Sequence, residues 1–344
     1  MVHRTHPANR AAVTARRCVV IATGVGSHPG EDAAAYAETV RTVLGELPPP
    51  VGMPYVPELP GRGAIATMTG RAVALTTELA FDLQPAGWRL TDAPGVDARR
   101  ARSLLAQDLD QVEEQAQGWT GALKTQVAGP WTLAATVERP RGDRLLADHG
   151  ARRELAQALA EGVRRHLADL RRRVPGADRW VVQLDEPALP AVLGGGVPTA
   201  SGFSRHRSVH PPEASEALGW VLDAVREAGG EPWLHCCADD APLALLRGAG
   251  AAGLAVDLAR VSAAGHEQLA EALEAGESVV LGVLPAAGPA DEGTATARVH
   301  RWLDMLGLEP GPSLGVSPGC GLAGADATSA RQALAIARRV AEGF

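Results

Sequence analysis

A single-domain (β/α)8 barrel is the fold this sequence predicts, on three observations. Eight short apolar runs recur along the chain. Stretches with apolar residues spaced by three and four lie between them, as amphipathic helices require. No Gly-x-Gly-x-x-Gly follows the first run, which weakens the doubly wound open sheet, the other fold with this alternation. At 344 residues the chain exceeds a usual single domain but is within the range of one barrel.

The strand candidates, in order, are Cys18–Val25, Val51–Val56, Leu123–Ala128 and Trp180–Leu184, then Pro232–Cys236, Gly253–Leu258, Ser278–Leu284 and Ser313–Val316. The helical stretches are Glu31–Glu46, Ala64–Ala80, Leu146–Arg173, Glu213–Glu227, Ala241–Gly248, His266–Ala275, Ala295–Leu306 and Thr328–Ala341. Arg89–Gln117 adds an excursion and a further helix. Pro and Gly gather at Pro48–Pro60, Gly194–Pro198 and Ala286–Gly293. These read as loops rather than domain linkers, because the alternation resumes after each. Met1–Arg17 has no apolar core of a signal peptide and reads as a disordered tail, so residues 18–344 form the expected domain.

Composition narrows the function. Net charge is −7, which argues against a nucleic-acid or anionic-membrane partner. No apolar run is long enough to span a bilayer. The cysteines at 18, 236, 237 and 320 are too few and too unevenly placed for a disulfide framework, so a reducing, cytoplasmic setting is expected.

In a barrel the chemistry sits where strands end. The residues at those points are Gly26-Ser27-His28, Glu58, Gly129-Pro130, Asp185-Glu186-Pro187, His235 and Cys237, Asp257 and Cys320. His235 and Cys237 are two apart, so an extended chain points both to one face and Cys236 to the other. Cys320 lies in the turn Gly319-Cys320-Gly321, where a backbone can approach a ligand. These three, with Asp257 as a fourth, form a zinc set. Zn2+ with two thiolates and a carboxylate sums to one negative charge. Such an electron-rich ion is a poor Lewis acid but can hold a substrate thiol as a reactive thiolate.

These motifs resemble the C-terminal catalytic barrel of cobalamin-independent methionine synthase. The resemblance rests on Val25-Gly26-Ser27-His28-Pro29, Glu58, Gln183-Leu184-Asp185-Glu186-Pro187-Ala188, His235-Cys236-Cys237 and Pro318-Gly319-Cys320-Gly321-Leu322. It implies a zinc ion on His235, Cys237 and Cys320 that takes the thiol of homocysteine. It implies that Val25, Gly26, Ser27, Glu58 and Asp185 hold the amino acid's polar end. Elementary chemistry agrees: an ammonium needs carboxylates, and a carboxylate needs N–H or hydroxyl donors.

The sequence departs from the family pattern in three places. The fourth zinc ligand of the family is Glu, and the best match, Asp257, lies two residues nearer to His235. The family's proton-donating His after the seventh strand is matched by Ala287, leaving His28, His206 or His210 as substitutes. A folate-binding acid is matched by Ala191, and the family's second barrel has no counterpart in these residues. The losses fall on the folate-handling side of the reaction, and the thiol-activating side is kept. A tetrahydrofolate nitrogen must be protonated to leave, whereas a corrinoid leaves unprotonated. The expectation is therefore a thiol methyltransferase acting on homocysteine or a related thiol. Its methyl donor would be other than free polyglutamyl folate, with a methyl-corrinoid protein one candidate and methyltetrahydrofolate the other. The alternatives are a methyltransferase of another thiol and a non-catalytic zinc- or partner-binding homologue.

Overall fold

A computed structural model describes residues 20–76, 78–93 and 95–344. The whole of the predicted tail, Met1–Arg17, falls outside the described residues, as does Cys18 at the start of the first strand candidate. The elements in chain order are β1 (Ile21–Ala22), α1 (Ala33–Glu46), α2 (Met68–Leu75), β2 (Ala80–Gln84), β3 (Gly87–Thr91) and α3 (Val96–Gln115). Next come β4 (Gly121–Ala128), α4 (Pro130–Thr136), α5 (His149–Arg173), β5 (Ala177–Asp185), α6 (Leu189–Leu193) and α7 (Pro211–Glu227). The last are β6 (Glu231–Cys236), α8 (Leu243–Gly248), β7 (Gly253–Asp257), α9 (Ala263–Glu274), β8 (Ser278–Leu284), α10 (Glu292–Leu306), β9 (Leu314–Pro318) and α11 (Ala327–Glu342).

Seven strands form one parallel curled sheet in the order β1-β9-β8-β7-β6-β5-β4. The predicted strand Val51–Val56 is not a strand. Pro54 and Pro57 lack the N–H that a ladder needs, so it meets its neighbours only at isolated points. On one side the Ala22 N–H donates to the Val51 carbonyl at 2.9 Å, and the Met53 N–H to the Ala22 carbonyl at 2.8 Å. On the other, the Val56 N–H donates to the Lys124 carbonyl and the Lys124 N–H to the Pro54 carbonyl, both at 2.9 Å.

The predicted helix Ala64–Ala80 is shorter than its periodicity suggested, and β2 and β3 pair after it as an antiparallel hairpin. Trp88 and Phe81, both buried, anchor that hairpin. Elsewhere five of the helices start where a short polar side chain caps them. Asp32, Asp148, Ser262, Asp291 and Asp326 each accept an N–H of the first turn.

Strand alternation splits the core in two. Val182, Leu184, Leu234, Leu254 and Leu281 face outward to the helices. Met53, Val181, Trp233, Ala255 and Val280 form a separate inner cluster on the concave side of the sheet. In steps of two from that inner layer follow Gln183 and Asp185 on β5, and His235 on β6. The apolar floor thus fixes where the polar inward residues begin.

Candidate metal and substrate site

Beyond the floor, the inward residues surround a cavity of about 340 Å³. Val25, Gly26, Ser27, Glu58, Asp185, His235, Cys237 and Cys320 all line it, with Gln126, Thr67, Met68, Pro60, Pro187 and Gly321. Eight of the nine residues singled out in the sequence therefore share one space. The ninth, Asp257, does not line it.

His235 ends β6 and is buried. Its Nδ1 lies 3.0 Å from the Ala255 carbonyl on the neighbouring strand, so Nδ1 carries the hydrogen and donates it. Nε2 then carries a lone pair, is buried, and has no hydrogen-bond partner among the described residues. A ring nitrogen of His235, the Cys237 Sγ and the Cys320 Sγ lie within 4.8 Å of one another, and Nε2 is the ring nitrogen left free to bind. A buried imidazole lone pair facing two thiols is the donor chemistry that zinc takes, and a backbone carbonyl behind the imidazole is its usual support. The residues present fit the ion. The two thiols also share charge unevenly. Cys320 is shifted down, chiefly by its neighbour Cys237, while Cys237 is shifted up by Cys320 and by burial. One of the pair ionises at the other's expense.

Close backbone approach brings Cys320 to this point. The Gly319 N–H donates to the Leu284 carbonyl at 2.9 Å, and the Leu322 N–H to the Ser27 carbonyl at 2.7 Å. A Cβ on Gly321 would run into the Ser27 hydroxyl, which would have to turn aside to admit it. Cys236 points the other way, into the outer core, as the alternation requires.

Asp257 is employed elsewhere. Its Oδ1 accepts the Ala259 N–H at 3.1 Å and its Oδ2 lies 3.4 Å from Arg260. Among the described residues its carboxylate is not in the group whose ligand atoms converge. Without it, Zn2+ on two thiolates would sum to zero, and a tetrahedral ion held by these three residues would keep a fourth position open.

Two carboxylates stand apart from the thiols. Glu58 is buried, with Arg71 Nε 3.5 Å from its Oε1. Burial raises its pKa and Arg71 opposes that shift. Arg71 also binds Asp108 at 2.7 Å, and Asp108 takes both ends of the Arg62 guanidinium at 2.7 and 2.8 Å. Asp185, likewise buried, is pushed up to about 7 by burial, with His235 the main opposing influence. Its Oδ1 accepts the Gln183 amide at 2.7 Å. In the same cavity, the N–H groups of Gly26 and Ser27 have no acceptor among the described residues.

The Asp185-Glu186 pair divides its work. Glu186 turns away and caps α4: it accepts the Trp131 N–H at 2.9 Å, and the Thr132 N–H and hydroxyl at 2.7 Å each. Sequence reasoning did not single out Lys124, Gln126 or Arg71. The signal for the first two was present in β4, where polar residues at 124 and 126 alternate with apolar ones at 123 and 127. None of the histidines proposed as substitutes lines the cavity. His28 is 2.5 Å from the Tyr55 hydroxyl, His206 is 3.1 Å from Asp143, and His210 is exposed at the start of α7. Ala287 is exposed in the loop after β8, and Ala191 lies on α6.

The family model described as "Cobalamin-independent synthase, Catalytic domain" matches residues 95–343. A B12-independent methionine synthase from a Shewanella species, solved in complex with selenomethionine, shares 12% identity at a TM-score of 0.60, covering 94% of this chain and 97% of that one. A Listeria monocytogenes protein, assigned as a vitamin-B12 independent methionine synthase, shares 14% identity at a TM-score of 0.53, covering 94% and 98%. At these identities the likeness is one of fold. No curated protein matches.

Proposed function

The chain belongs to the cobalamin-independent synthase family by its catalytic domain, and from this premise we propose that it is a zinc-dependent thiol methyltransferase whose substrate is homocysteine or a close relative. Membership implies a methyltransferase of the methionine-synthase kind. The observation that carries the finer reading is the unpartnered Nε2 of His235, set among two thiols in the cavity that also holds Glu58 and Asp185.

In this reading the ring of strands closes through residues 51–58, and residues 18–344 act as one unit. His235, Cys237 and Cys320 would hold the ion. Zinc held there supplies a positive centre on which a substrate sulfur stays a thiolate at neutral pH. The protein's own groups do the rest. Glu58 and Asp185 accept the substrate's ammonium hydrogens, and the free N–H groups of Gly26 and Ser27, which follow Val25, receive its carboxylate. The amino acid is thereby fixed at its polar end, with its sulfur toward the thiol pair. The thiol proton leaves to solvent, a bond forms between sulfur and the methyl carbon, and the methyl group's bond to its donor breaks.

For the donor we favour a methyl-corrinoid protein over polyglutamyl methyltetrahydrofolate. Among the described residues lining the cavity, His235 is the only histidine, so no second one stands ready to protonate a departing folate nitrogen. Free thiols at 237 and 320 suit a cytoplasmic setting. Among the described residues no helix is long and apolar enough to cross a membrane. Turnover of homocysteine by zinc-loaded protein with each donor tests the proposal. Equal or faster reaction with methyltetrahydrofolate would sink the donor assignment. Failure to bind homocysteine at all would sink the substrate.

A further inference from the structure

Beneath the two carboxylates lies a lysine that no part of the reaction described so far employs. Lys124, on β4, is fully buried. Its Nζ donates to the Val25 carbonyl at 2.7 Å and to the Gln183 Oε1 at 3.1 Å, and it lies 5.0 Å from the centre of the Tyr55 ring. Because Gln183 gives its oxygen to the ammonium, its nitrogen is turned toward acceptors. That nitrogen donates to the Asp185 Oδ1 at 2.7 Å and to the Val25 carbonyl at 3.1 Å. Among the described residues Oδ2 of Asp185 has no donor, and Asp185 lines the cavity.

A buried ammonium is costly unless its charge is answered. Burial lowers Lys124 to about 8, and the charges that oppose this are Asp185 and Glu58. The apolar inner layer would accommodate a Leu or Met at this position without any such cost. What the cation provides is order: it fixes the amide of Gln183 and the carbonyl of Val25, and through Gln183 it fixes Asp185.

We propose that Lys124 is a positioning residue for an amine-bearing substrate, acting through Gln183 to hold Asp185 with Oδ2 directed at the substrate's ammonium group. The proposal rests on the aminothiol reading above and adds a residue to it. The cavity then has two carboxylates, each with its own buried cation: Arg71 for Glu58 and Lys124 for Asp185. Selectivity for a primary amine depends on both.

The test compares homocysteine with 4-mercaptobutyrate, which keeps the thiol and carboxylate but lacks the amine. Binding to the zinc-loaded full chain is measured by calorimetry. Lys124→Met should keep zinc content and lose homocysteine affinity about tenfold or more, with 4-mercaptobutyrate changed less than twofold. Gln183→Leu, which cuts the link but leaves the lysine, should show the same selective loss. It provides the reading if Lys124→Met does not fold. Equal loss for both ligands, or no loss for either, in whichever variant folds overturns the role of Lys124 alone. A wild type that takes up zinc and binds neither thiol overturns the aminothiol reading and this proposal with it.

Discussion

The Nδ1 of His235 lies 3.0 Å from the carbonyl oxygen of Ala255, one strand away. A carbonyl can only accept, so the hydrogen of the imidazole is committed to that side and Nε2 is a lone pair facing the two thiols. Because the partner is backbone, no single side-chain change removes the orientation. The metal affinity of the site therefore depends on the three ligands themselves. Cys320→Ser and Cys237→Ser should each reduce bound zinc from about one per chain to a small fraction, since a neutral hydroxyl replaces a thiolate. Metal analysis after dialysis reads this directly, and full retention by either variant would remove that residue from the set.

Asp257 gives the opposite expectation. It caps the turn at Leu258–Arg260 and sits outside the convergent group. Asp257→Ala should keep its zinc and cost about 1 kcal/mol of stability through the lost cap. Loss of zinc in this variant, at unchanged fold, would show that the carboxylate swings in as a fourth ligand.

Glu58 faces the cavity with Arg71 behind it. Glu58→Gln keeps the shape and removes the charge. A hydrogen bond to a charged group contributes roughly 1.5–3 kcal/mol. Homocysteine should therefore bind ten- to a hundred-fold more weakly, while 4-mercaptobutyrate is little affected. Titrations of both ligands check the difference, and parallel losses would mean that Glu58 shapes the cavity rather than binding the amine.

Glu186 is a stability residue beside a binding residue. It is fully buried and accepts three hydrogen bonds from the start of α4. Glu186→Ala should cost roughly 2–4 kcal/mol, because two buried N–H groups and a hydroxyl lose their acceptor. Zinc content should be unchanged. Denaturant unfolding measures the loss, and a variant as stable as wild type would refute the capping role.

Two buried histidines contribute an acid sensitivity of their own. Burial lowers His28 to about 4, and lowers His166 likewise. An unfolded His titrates near 6.5. Between those values the unfolded chain binds protons at these two rings that the folded chain refuses, so the histidines' own contribution to folding stability rises with pH across this window, against the opposite contribution of Asp185 and Glu186, whose carboxyls burial raises to about 7. The histidine contribution should be at full strength above pH 6.5 and fall on acidification toward 4. His28→Gln, which can still bond the Tyr55 hydroxyl, should make the slope of melting temperature against pH between 4.5 and 6.5 less positive than in the wild type. An unchanged slope would place the acid sensitivity elsewhere.

How much of this was readable from the chain alone follows from which physical rules are local. The spacing of His235, Cys236 and Cys237 fixes which two share a face, because side chains on a strand alternate whatever surrounds them. Apolar runs and amphipathic stretches located seven of the eight strand candidates, most of them within a few residues, and most of the helices. The motifs around Ser27, Asp185 and Cys320 named most of the cavity wall.

Competition between distant groups decided the rest. Whether Asp257 serves a metal or a turn depends on its distance from Cys320 and on Arg260 beside it, neither of which spacing along the chain records. Val51–Val56 carried the hydrophobicity of a strand, but its prolines left it bonded to β1 and β4 at single points. Lys124 reads along the chain as one polar residue in an alternating run. Only the curled sheet, which places that face inside and brings Val25, Gln183 and Tyr55 around its ammonium, makes it a buried cation under the site. Alternation assigns a side chain to a face, and the packing of the whole chain determines whether that face meets solvent, core or substrate.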